Sequence, residues 1–257
     1  MKEWRFIDTG TGHAAWNMAL DEALGREAVL SGIPVLRLYG WERSLSFGKF
    51  SKPRECLDMA GIEESGISCV RRPTGGGVLV HGGDLSYALI FPGPRERGVR
   101  ENYRHWCGFL LSLYERLGLP ARFADVLAGP SSAVCLAAHE PEDIVIEGRK
   151  IGGNAQLCGS NLLFLHGTIP LFLEREFFEP FFRGESGLRD AATLEEMGVK
   201  TTHGELVQMA AEVFRERFGI QTVEDILTPS EERLAGELAA RKYSEKGWTF
   251  DGKSSMA

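Results

Sequence analysis

The apolar positions of residues 14–30 recur at helical spacing. Trp16, Leu20, Ala23, Leu24 and Ala28 fall on one face, and Gly32-Ile33-Pro34 closes the run. Residues 35–39 predict a strand broken at Gly40. Residues 67–72 predict another, ending at Pro73 and a glycine run, and residues 85–91 a third, stopped by Pro92-Gly93-Pro94. A second amphipathic helix is predicted over 103–117, with Tyr103, Cys107, Leu110, Leu111, Tyr114 and Leu117 on its apolar face. Residues 142–147 alternate as a strand and Gly148-Arg149 reads as a hairpin turn. Residues 150–157 and 161–165 complete a meander. After Pro170 the pattern turns helical, most clearly over 202–218 and 230–243. Many neighbouring strands are joined by short turns, which favours mixed or antiparallel pairing, because parallel strands need long crossovers. The expectation is an α+β fold.

Size and composition narrow the class. A chain of 257 residues suits one large domain, here a single catalytic domain over 1–257 whose last part, about 200–257, is a short helical tail. A chain of that length buries a sizeable core without disulfides or metals. The N-terminus has no apolar signal-peptide region, and no apolar run reaches membrane-spanning length, so a cytoplasmic protein without a membrane partner is expected. The five cysteines, at 56, 69, 107, 135 and 158, are odd in number and form no Cys-x-x-Cys. That fits free thiols in a reducing compartment and no metal site. A formal net charge of −7 argues against a nucleic-acid partner. A local basic patch can still meet an acidic protein, and Arg95, Arg97, Arg100 and Arg104 form one candidate.

Four segments carry candidate chemistry. In Arg71-Arg72-Pro73-Thr74-Gly75-Gly76-Gly77-Val78 followed by His81, three glycines let backbone approach a ligand and aim N–H groups at an anion. Arg72 can bind a carboxylate, a phosphate or a developing oxyanion. The run has neither the Gly-Lys-Ser/Thr ending of a P-loop nor the Gly-x-Gly-x-x-Gly spacing of a dinucleotide fold. The bland reading is a tight turn with a surface arginine pair. In Gly148-Arg149-Lys150-Ile151-Gly152-Gly153-Asn154-Ala155-Gln156, Lys150 opens a glycine-rich strand and can project into a pocket as a fixed cation, or be a solvated hairpin lysine. Cys135, in Ser132-Ala133-Val134-Cys135, is a small buried hydrophobe unless a nearby cation depresses its pKa from about 8.5, and Lys150 can supply that charge. His166, in His166-Gly167-Thr168, either hydrogen-bonds the site or caps a turn.

Taken in order, these segments resemble the biotin/lipoate protein ligase and lipoyl-transferase family, and within it the cysteine-dependent octanoyltransferases. That likeness extends to residues 4–8, Asn17 to Ala23, 39–41 and the late Lys242-Tyr243 and Trp248. The resemblance implies the fold shared with class II aminoacyl-tRNA and biotin synthetases, a mixed, largely antiparallel sheet flanked by helices. It implies that Cys135 accepts the acyl group and that Lys150 lowers its pKa. Arg72, Gly75, Gly76, Gly77, Val78, His81, Gly153, Ala155 and His166 would bind substrate. The implied reaction moves octanoyl from acyl carrier protein to a lysine of the glycine cleavage H protein or a dehydrogenase lipoyl domain, with no cofactor. The alternative is a lipoate–protein ligase using ATP and Mg²⁺, with Lys150 and Arg72 on the carboxylate and α-phosphate. A non-catalytic carrier-binding protein on the same fold is the third reading.

Overall fold

The computed structural model describes residues 3–94, 97–124 and 142–253. Its centre is a six-stranded sheet built from β1 (Trp4–Gly12), β2 (Val35–Trp41), β6 (Asp84–Pro92), β10 (Asn154–Cys158), β11 (Leu162–Pro170) and β13 (Thr222–Glu224), in the order β10-β11-β6-β2-β1-β13. β1 runs parallel to β2 and to β13; the other three pairings are antiparallel. The expected mixed, largely antiparallel sheet is therefore found. Of its two parallel pairs, β1–β2 is joined by a helical crossover, α1 (Ala14–Ser31).

Both faces of this sheet are covered, and strand alternation sorts the side chains. Leu36 and Leu38 of β2, with Leu85, Tyr87 and Leu89 of β6, face a core shared with α4 (Val99–Arg116) and α6 (His203–Phe218). Val35 and Tyr39, with Ala88 and Ile90, face a second core under α1 and α7 (Pro229–Leu238). Arg37 shares that second face and is fully buried. Its guanidinium reaches Asp21 Oδ1 at 2.6 Å, Asn17 Oδ1 at 2.8 Å and Thr9 Oγ1 at 3.0 Å, and Tyr39 OH donates to Asp21 Oδ2 at 2.9 Å. Removing one member of such a buried pair leaves an uncompensated charge, which costs about 3–5 kcal/mol.

A three-stranded sheet holds β3 (Ser44–Phe47) between β4 (Ser68–Arg71) and β5 (Val78–His81), next to α2 (Pro53–Cys56) and α3 (Met59–Ser65). A four-stranded sheet runs β12-β9-β8-β7, from Ala191–Ala192, Arg149–Ile151, Ile144–Ile146 and Arg122–Phe123. The C-terminal part packs back on the rest: α6 against α4, α7 against α1, and α8 (Lys246–Asp251) against β4. Among the described residues no helix is long and apolar enough to cross a membrane.

The predicted helices and most predicted strands form, with three corrections. The expected meander is divided: β9 belongs to the four-stranded sheet and β10 to the large one. Gly152 separates them at φ 72°, where an added Cβ would lie 2.0 Å from Thr168 O. The hairpin turn is Glu147-Gly148, both at positive φ, one residue before the predicted pair, so Arg149 sits in the strand. Residues 171–202 are mostly irregular rather than helical, apart from α5 (Arg175–Phe178), a 3₁₀ turn and β12.

Gly152→Ala combines left-handed backbone with overlap onto a backbone carbonyl. It should destabilise the protein by at least ~2 kcal/mol in urea unfolding. A loss under ~0.5 kcal/mol would show that the strand break does not depend on this geometry.

Candidate active site

One pocket collects almost every residue singled out in the sequence. Arg72, Gly75, Gly76, Gly77, His81, Lys150, Gly153, Ala155 and His166 line it, joined by Tyr39, Trp41, Leu79, Ser86, Asn154 and Thr168. The small sheet and the 72–77 loop provide one side, β10 and β11 the other, and β9 delivers Lys150. Val78 does not take part; its side chain is buried in the core of the small sheet. Cys135 lies outside the described residues.

The 72–77 loop is held in place by the segment after β3. Gly48 N–H donates to Gly77 O at 3.0 Å and Lys49 N–H to Thr74 O at 2.7 Å. A Cβ on Gly48 would stand 1.8 Å from Gly76 O, so only glycine permits this approach. Arg72 braces the loop from inside. Its Nη1 donates to Ser46 O and Oγ at 2.8 and 2.6 Å, and its Nη2 to Gly77 O at 2.9 Å. Arg72 thus lines the pocket while much of its donor capacity goes to the loop that was expected to bind beside it.

The two histidines are tied into this frame. His81 Nδ1 faces Asp84 Oδ2 at 2.9 Å and Nε2 faces Ser46 Oγ at 2.6 Å. The carboxylate can only accept, so the proton is assigned to Nδ1 and the Ser46 hydroxyl donates to Nε2. Trp41 stacks on the ring at 4.1 Å and donates through Nε1 to Ser86 Oγ at 2.8 Å. His166 Nε2 lies 2.6 Å from Thr74 Oγ1 and Nδ1 lies 3.7 Å from Asp21 Oδ2. Of its two sequence readings, the hydrogen bond to the site is the one observed. Burial pushes the His166 imidazole pKa down, outweighing the nearby Asp21 carboxylate.

Lys150 is 7% exposed, and its Nζ donates to Asp143 Oδ2 at 2.7 Å. The lysine is therefore a buried cation at the pocket wall, as expected, with a carboxylate against it that the sequence did not reveal. Asp143 carries no motif spacing; only the strand pairing Val145↔Lys150 brings it near. Ser46, Thr74 and Asp84 were also missed, although Asp84 follows His81 at i+3 across a Gly-Gly turn, a spacing that could have flagged it. The other cysteines keep their structural reading. Burial pushes Cys69 and Cys107 up to about 12, far from a reactive thiolate. The expected basic patch is largely engaged: Arg100 pairs with Glu142 at 2.5 Å, Arg97 with Glu101 at 3.8 Å, and Arg104 sits over Phe123 at 5.0 Å. Arg95 lies outside the described residues.

Comparison with known proteins places this geometry. Residues 13–227 match the family described as lipoyl protein ligase A/B catalytic domain. The octanoyltransferase LipM of Geobacillus kaustophilus is 35% identical, over 96% of this chain and 98% of its own. The LipM of Bacillus subtilis is 31% identical over the same shares. Among solved structures, Ta0514 from T. acidophilum, a putative lipoate protein ligase with bound lipoic acid, superimposes with a TM-score of 0.84 at 26% identity, over 96% of this chain and 99% of its own. A lipoate-protein ligase A bound with ATP gives 0.83 at 26% identity, over 96% and 98%.

The lowered His166 value makes a pH prediction. The folded state holds this imidazole neutral while the unfolded chain protonates near about 6.5. The unfolded state then binds more protons, so stability should fall as pH drops below about 6.5, before the paired carboxylates titrate. His166→Gln should flatten the dependence of urea stability between pH 7 and 5. An unchanged slope would mean His166 is not the group responsible.

Proposed function

The chain belongs to the lipoyl protein ligase A/B catalytic domain family, and on that premise we propose that it is an octanoyltransferase of protein lipoylation, acting in the cytoplasm. The observation that carries this reading is the pocket itself. It joins an apolar wall of Tyr39, Trp41 and Leu79 to a glycine loop and the buried cation Lys150. An acyl chain suits the first part, at ~0.8 kcal/mol per buried methylene. A thioester carbonyl suits the second.

The proposed nucleophile is Cys135. Its thiolate attacks the carbonyl of octanoyl-acyl carrier protein, the carrier's carbon–sulfur bond breaks, and the carrier departs as a thiol after taking up a proton. The octanoyl group is then a thioester on Cys135. The lysine amine of the glycine cleavage H protein or of a dehydrogenase lipoyl domain attacks it, an amide forms, Cys135 leaves as thiolate and the amine proton passes to solvent. Amide formation from a thioester is downhill, so the sequence needs no ATP. Lys150 favours the thiolate by opposite charge. Lys150, or backbone N–H groups at Gly75 to Gly77, would stabilise the oxyanion. Asp143 limits this assistance, because it already draws on the lysine's charge.

The likeness to solved lipoate-protein ligases supports a second reading, in which Lys150 and Arg72 hold a carboxylate and the α-phosphate of ATP, with Mg²⁺ assisting. Arg72's bonds to the loop carbonyls favour the first reading.

The two part in one assay. With octanoyl-acyl carrier protein, a lipoyl domain and apyrase, the acceptor lysine should gain octanoyl at the same rate as without apyrase. Octanoylation only from free octanoate with ATP and Mg²⁺ would establish the ligase instead.

A further inference from the structure

Arg71 ends β4, Arg72 follows it, and their side chains take opposite sides. Arg72 grips the glycine loop. Arg71 turns away from the pocket and is 1% exposed; among the described residues its side-chain hydrogen bonds go to backbone carbonyls and it forms no ion pair. Nε donates to Trp248 O at 2.9 Å and Thr249 O at 3.1 Å, and Nη2 to Phe250 O at 3.1 Å. Those carbonyls belong to the last turn of α8, where Trp248 O also accepts from Gly252 N–H at 3.1 Å. Nη1 donates to Gly48 O, Lys49 O and Ser51 O, at 2.9, 2.9 and 3.0 Å. Trp248 Nε1 closes the arrangement by donating to Arg71 O at 3.1 Å.

Residues 48 and 49 are the same ones whose N–H groups hold Gly77 O and Thr74 O. Arg71 therefore joins two segments nearly two hundred residues apart in sequence, and one of them is the platform on which the glycine loop rests. Arginine suits the position because its planar fork presents five donors, whereas lysine has three at a single point.

We propose that Arg71 is a positioning residue that couples docking of the C-terminal helix α8 to the shape of the glycine loop, so that the acyl pocket is complete only when α8 is in place. The inference rests on the proposed role of that loop in acyl binding. Its physical part, the coupling, can be read without any reaction.

The test is hydrogen exchange by mass spectrometry on the full-length chain, comparing wild type, Arg71→Lys and Trp248→Phe. Trp248→Phe removes a single hydrogen bond and keeps the test alive if Arg71→Lys does not fold. Coupling predicts exchange about ten-fold faster, the equivalent of ~1.4 kcal/mol in local opening, in peptides spanning 48–51 and 74–79. Residues 162–170 should keep wild-type protection. A purely structural role would instead speed exchange evenly, or loosen 246–253 while 74–79 stays as in wild type; either result, or no change at all, overturns the proposal. In the transfer assay the same variants should raise KM for the octanoyl donor about ten-fold with kcat within about two-fold. If exchange responds while wild type transfers nothing, the clamp stands and the acyltransfer reading fails.

Discussion

The six-stranded sheet is covered on both faces, and that constraint organises the rest of the molecule. The polar side chains of β2 and β6 are buried and cannot rely on bulk water. Each must find protein partners or lose the full cost of desolvation. Arg37 therefore gathers Asp21, Asn17 and Thr9 around itself, and Tyr39 shares Asp21 with it. Asp21 in turn stands 3.7 Å from His166, which reaches Thr74 in the glycine loop. On the other side of the pocket His81, Asp84, Ser46, Ser86 and Trp41 form a second satisfied set that ends at Arg72. Both sets bind the pocket walls through protein hydrogen bonds, the kind of arrangement a preorganised site requires.

In the proposed chemistry Lys150 would supply the positive charge beside the nucleophile. A buried ammonium against Asp143 offers a weaker field to a neighbouring thiol than an unopposed one would. The pairing satisfies both buried groups at 2.7 Å.

The sequence made much of this legible. The amphipathic periods of α1, α4 and α6 located three helices, and the clustering of Arg72, Gly75 to Gly77, Lys150 and His166 around one pocket followed from the motifs. β1, β3 and β5 were not predicted; in β1, Trp4 and Phe6 face one core and Ile7 the other, so both sides are apolar and no apolar–polar alternation marks it. The division between β9 and β10 was hidden because periodicity runs on through Gly152, and only a tertiary neighbour, Thr168 O, makes that glycine obligatory. Asp143 was missed, and Arg71 was read as part of a surface pair rather than as a buried clamp, for a related reason. Their partners are fixed by strand pairing and by the return of the C-terminal helix, neither of which leaves a local signature. The pattern after Pro170 read as helical, yet over residues 171–202 the apolar side chains, Phe178, Phe181 and Phe182 among them, fill the core of the small sheet.

The measurement that bears most directly on acyl transfer through Cys135 is intact-protein mass spectrometry after mixing the chain with octanoyl-acyl carrier protein in the absence of ATP. Wild type should gain one octanoyl group that hydroxylamine removes, and Cys135→Ser should show no such thioester. An unmodified wild type, together with a Cys135→Ser protein that still acylates a lipoyl domain when given ATP, would contradict the account.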